Sequence, residues 1–150
     1  MVDTNKNTEY LCVTIKDIPV VIATEFVQEV HETALITRVP GCPDFILGMI
    51  NVRGNIIPVL DLWGIREMTA PIKKVVILKS THGSVGLLIS ALVDLMTFAE
   101  KNTAEAVPEQ LHPWKEFFSA RGIGEKRHYL MRADELIAAT LPQHARQAIV

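Results

Sequence analysis

The chain has 150 residues, 49% of them hydrophobic and only 21% charged, with a mean hydropathy of +0.23. A chain of this size buries about 70% of its unfolded surface, so its core needs no disulfide or metal staple, and the composition excludes disorder. Fifteen Lys and Arg against seventeen Asp and Glu leave a net charge of −2, without the basic footprint of a nucleic-acid binder.

The longest apolar stretch, residues 75–93, is interrupted by Lys79, Ser80, Thr81, His82, Gly83 and Ser84, so it predicts no membrane-spanning helix. Residues 1–8 are polar, lack the apolar segment of a secretory signal, and are expected to form a loose cytoplasmic arm. Cys12 and Cys42 form no Cys-x-x-Cys pair, so neither a disulfide framework nor a zinc knuckle is expected. Cys12, in an apolar run, reads as a buried thiol.

Short runs rich in Val and Ile, separated by Gly, Pro, Asn, Asp or Lys turns, carry a strand signature. Residues 10–15 and 18–24 flank Lys16-Asp17 as a hairpin, and 26–30 extend the second strand or start another. Residues 49–53 and 55–62 flank Gly54, whose permissive backbone suits a positive-φ corner, as the sharpest hairpin. A third hairpin pairs 73–79 with 85–89, a strand follows at 92–98, and a last one at 127–132. Short helical turns are expected at 43–47 and 113–118, and a C-terminal helix at 134–140, with Asp134 and Glu135 favourable in its first turn. Residues 141–150 are expected to be a flexible tail. Short strands at this spacing predict an all-β barrel or sandwich, with no internal repeat visible and a short break near Pro71.

Catalytic chemistry is sparse. His82-Gly83-Ser84-Val85-Gly86 has a histidine where a nucleophile elbow needs glycine, and it sits in a hairpin. Gly122-Ile123-Gly124 opens a dinucleotide fingerprint but meets Arg127 at the third glycine, so a turn is the better reading. The five histidines never fall at metal-ligand spacing. Glu29 and Glu32, an odd number of positions apart on a strand, face opposite sides and make no carboxylate pair. No catalytic residue, metal site or cofactor is expected.

The segment Val39-Pro40-Gly41-Cys42-Pro43-Asp44-Phe45-Ile46-Leu47-Gly48-Met49-Ile50-Asn51-Val52-Arg53-Gly54-Asn55-Ile56-Ile57-Pro58-Val59-Leu60-Asp61-Leu62 closely resembles, without a gap, the signature of the CheW-like coupling proteins of bacterial chemotaxis. Ile18-Pro19-Val20, residues 26–30, Val85-Gly86-Leu87-Leu88-Ile89 and residues 127–137 are similar to further family strands and its closing helix. The resemblance spans about residues 9–140. It implies an all-β fold of two intertwined SH3-like five-stranded β-barrel subdomains with short helices. Subdomains at about 9–68 and 72–140, with strands exchanged between them, are the expectation. It also implies a non-enzymatic, cytoplasmic adaptor at receptor arrays of the inner membrane. Its partners would be the cytoplasmic hairpin tip of a chemoreceptor, held in an apolar groove, and the regulatory domain of a CheA-type histidine kinase. A small-ligand module, with its site in the cleft between subdomains, is the alternative.

At residue level the resemblance points to Asn51, Arg53, Val27 and Glu29 for partner contact. Arg53 at the hairpin tip suits a partner carboxylate or an internal pair with Glu29, and both can hold together. Val27 and Glu29, two apart, are expected to share a face. Gly48 and Gly54 read as motif and turn positions, Pro58 as an edge or bulge residue, Asp61 as the closure of a backbone turn, and Ile46 and Leu47 as core. The chain departs from the family pattern at Trp63, Ser90 and 130–133. Trp63 is expected either to anchor an interface or to fill the core.

Overall fold

The computed structural model describes residues 8–98, 106–123 and 126–141. The expected terminal tails lie almost wholly outside these residues, and so do Gly124 and the turn expected around it. Among them run ten strands: β1 (Thr8–Ile15), β2 (Ile18–Ala23), β3 (Val27–Thr33), β4 (Ile46–Val52), β5 (Asn55–Leu60), β6 (Lys73–Ser80), β7 (Gly83–Ile89), β8 (Ala91–Phe98), β9 (Phe118–Ile123) and β10 (Lys126–Met131). One helix, α1 (Ala133–Thr140), closes the fold.

The strands make two five-stranded sheets, ordered β8-β1-β2-β10-β9 and β3-β6-β7-β5-β4, curled like half-barrels. The all-β expectation of two five-stranded units therefore holds. Both sheets repeat one plan. An edge strand (β8 or β3) pairs with the first strand of an inner hairpin (β1–β2 or β6–β7), whose second strand runs parallel to one strand of an outer hairpin. The second sheet is contiguous in sequence from β3 to β7, whereas the first collects both ends of the chain. A cut near Pro71 falls between β5 and β6, inside one sheet, and β1 and β2 stand in the other sheet with β8, β9 and β10.

Burial explains the apolar excess. In β6 and β7, Val75, Val76, Ile77, Leu78, Leu87, Leu88 and Ile89 are all buried, so these strands are covered on both faces. In β1, Leu11, Val13 and Ile15 enter the main core, while Tyr10 and Cys12 turn to a second cluster with Val21. Leu136 and Ile137 of α1 join the main core, and the helix packs on β6 and β7. Each fully buried Leu or Ile contributes about 1.5–3 kcal/mol relative to exposure, so doubly covered strands such as β6 and β7 need this composition.

Several local expectations are corrected. Residues 43–47 form no helix: Ile46 N donates to Pro43 O at 3.0 Å, closing a single turn, and Ile46 already begins β4. At 113–118 the helical turn is a 3-10 turn over Lys115–Phe117, and Phe118 starts β9, a strand the sequence reading lacked. Gly122 and Ile123 belong to β9. Pro58 lies on β5, an interior strand, not on an edge. Its missing N–H costs nothing there, because the hairpin register turns its nitrogen away from β4, and the parallel pairing with β7 starts only at Val59.

Candidate partner-binding site at the β4–β5 hairpin

β4 and β5 are joined by Arg53-Gly54, both at positive φ (+52° and +87°), the backbone of a two-residue type I′ turn. Asn51 Oδ1 accepts a hydrogen bond from Gly54 N at 2.8 Å, so its carboxamide stiffens the turn. The Arg53 side chain is 74% exposed, yet its Nη1 lies 2.7 Å from Glu29 Oε2. The contact is ionic, since Oε2 accepts no directed hydrogen bond. His31 Nδ1 lies 3.7 Å from the other oxygen of Glu29. β3 and β4 are the two outer strands of the second sheet, so the contact brings opposite edges of that sheet together.

Val27 does not share a face with Glu29. A register shift between Val27 and Glu29 against β6 leaves Gln28 as an extra residue and reverses the alternation. Val27 and Val30 both pack against the main core, while Glu29 and His31 lie together on the outer face. Past the bulge the strand is regular, which keeps Glu29 and Glu32 on opposite sides.

Gly48 is held by close approach. A Cβ there would stand 2.4 Å from the carbonyl oxygen of Thr37, whose segment bridges Met49 through two backbone hydrogen bonds of 2.8 and 2.9 Å. Asp61 closes a turn. Its side chain is fully buried, Oδ1 accepts from Ile65 N at 2.8 Å, and Oδ2 accepts from Arg66 Nε at 2.8 Å and Arg66 N at 3.2 Å.

Trp63 is not an exposed interface anchor. Only 8% exposed, it belongs to the main core, where its Nε1 donates to Leu111 O at 2.9 Å and its ring packs against Phe118. Trp114 reciprocates: its Nε1 donates to Leu62 O at 2.9 Å. The two indoles thus fasten the loop after β5 to the segment before β9, across the two sheets. The sequence reading singled out neither His31, Arg66 nor Trp114 as a partner of these residues; no spacing signal links them, because the contacts arise from folding.

Among the described residues, no group of three or more His, Cys, Asp or Glu could hold a metal ion. No helix among them is long and apolar enough to cross a membrane.

A family model for the CheW-like domain matches residues 9–138. The chain belongs to the CheW-like family. Within it, the chain is similar to a chemotaxis protein CheW of Rhizobium meliloti, 26% identical over 124 residues that cover 80% of this chain and 79% of that protein. It is also similar to protein FrzA of Myxococcus xanthus, 39% identical over 54 residues, covering 36% and 34% of the two chains. The crystal structure of scaffolding protein TtCheW from Thermoanaerobacter tengcongensis shares the fold, with a TM-score of 0.72 at 19% identity over 87% of this chain and 92% of that one. CheW-like proteins are a family of chemotaxis coupling scaffolds, and the two curled sheets described above match that structure.

Proposed function

We propose that this chain is a non-enzymatic adaptor coupling the cytoplasmic tips of chemoreceptors to the regulatory domain of a CheA-type histidine kinase, in cytoplasmic arrays at the inner membrane. The family match across residues 9–138 carries this reading. The hairpin geometry supports it locally: an exposed guanidinium stands on a stiff two-residue turn, held by one ionic contact that a partner carboxylate can share. Arg53 and Glu29 form the contact face in this reading, Asn51 sets the turn beneath it, and Val27 contributes only its partly exposed edge. A recess of about 470 Å³ beside Phe26 and Lys79 opens to solvent, which suits a protein partner better than an enclosed small ligand.

The test is co-purification of the folded protein with a receptor-tip hairpin and with the kinase regulatory domain. Both should be captured, and Arg53→Glu should weaken capture at least about tenfold while leaving the circular dichroism spectrum unchanged. Failure of both partners to bind the folded wild-type protein would overturn the reading.

A further inference from the structure

We propose that the recess between the loop after β5 and the segment before β9 receives a basic side chain of a protein partner. This rests on the adaptor reading only in taking the occupant to be part of a protein. The recess, about 300 Å³, is walled by Leu62, Pro113 and the rings of Phe45 and Trp114, whose centroids are 5.2 Å apart at an interplanar angle of 76°. Two acidic residues, Asp44 and Asp61, line it and no Lys, Arg or His does.

Those carboxylates differ. Asp61 is consumed by Ile65 N and by Arg66. Asp44 is exposed, and among the described residues its carboxylate makes no ion pair or hydrogen bond; Arg66 reaches only its backbone oxygen, at 2.7 Å. One uncompensated negative charge therefore sits at the mouth of an aromatic-walled recess. An acidic side chain is repelled there. A purely apolar one fills the walls but strips water from Asp44 without replacing it. A basic side chain satisfies both demands, with its aliphatic stem along Leu62 and Pro113 and its cationic head between Asp44 and the aromatic rings. Arginine fits best, because its planar guanidinium stacks on rings while offering several donors to a carboxylate.

The walls are held before any partner arrives. Trp114 is fixed through its indole N–H to Leu62 O, and the loop is pinned by Trp63 to Leu111 and by Asp61 to Ile65. Binding then orders little besides the incoming side chain.

The probe is N-acetyl-arginine methylamide, titrated into the labelled full chain with the indole N–H of Trp114 and the amide of Gly64 followed by NMR. Saturable shifts at those two signals are expected, with affinity lowered about fivefold in Asp44→Asn and further in Asp44→Lys, a loss the size of one ion-pair contact. N-acetyl-leucine methylamide should leave both signals in place. Equal shifts with the leucine compound, or arginine binding untouched by Asp44→Lys, would overturn the proposal. Since the probe contains neither receptor nor kinase, a protein that captures both partners but ignores arginine refutes this proposal and leaves the adaptor reading intact.

Discussion

Arg53 occupies a backbone position that a side chain pays to hold. At φ +52° in a type I′ turn, asparagine or glycine is the favoured residue, and an arginine costs about 1 kcal/mol. Its ion pair with Glu29, largely exposed at the arginine end, does not offset that by much, since a pair so open to solvent on one side is worth about 1 kcal/mol. Strain kept without a structural return points to use of the side chain. Arg53→Gly should therefore leave the melting temperature equal or higher while partner capture falls at least about tenfold. A fall in melting temperature of more than about 3 °C would instead assign the arginine to closing the barrel. At this scale the sequence was informative where the partner is local. Gly54 and Asp61 were readable because a turn needs positive φ or a nearby acceptor, and the atoms they serve lie within a few residues. Trp63 was not, because its burial depends on Leu111 and Phe118, which only the assembled fold brings beside it.

Elements were legible where alternation and turn chemistry agreed, as in the β1–β2, β4–β5 and β6–β7 hairpins. They were misread where a bulge or a long-range bond intervened. Residues 43–47 resembled a helical turn because Pro43 suits a first helical position, whereas it heads a single turn that leads into β4 at Ile46. β9 escaped notice because Ser119 and Arg121 interrupt the apolar pattern that Phe118 and Ala120 carry inward. Two glycines of the central hairpin separate the physical causes behind such motifs. A methyl on Gly48 collides with the backbone oxygen of Thr37, whereas one on Gly54 meets nothing within 4 Å and is opposed only by φ +87°. Gly48→Ala is expected to cost about 2–3 kcal/mol by displacing the Thr37 bridge, and Gly54→Ala about 1 kcal/mol. Urea denaturation measures both, and an equal loss at the two sites would remove close approach as the reason for Gly48.

For the whole molecule, the two sheets share one plan but meet the chain at different points. The second runs straight from β3 to β7; the first starts at β8, passes through β9 and β10, and is completed by β1 and β2 from the other end. That offset hides the repeat from a linear reading, and makes a boundary near Pro71 look natural when it divides β5 from β6. Neither the 1–70 nor the 71–150 fragment holds a complete sheet: the first lacks β6 and β7, the second β1 and β2. The main core also draws from both sheets and α1 together, so each fragment would expose faces that the other should cover. Each alone is expected to lack dispersed amide signals, and a folded spectrum from either would refute the exchanged arrangement. In the intact chain the same sharing predicts a single cooperative transition. The two tryptophans provide the check, because Trp63 and Trp114 both stand at the fastening between the sheets, while far-UV circular dichroism reports all the strands. Coincident midpoints are expected. A fluorescence change well before the loss of strand signal would mean that the sheets separate first, and that the indole bonds, not the common core, hold them together.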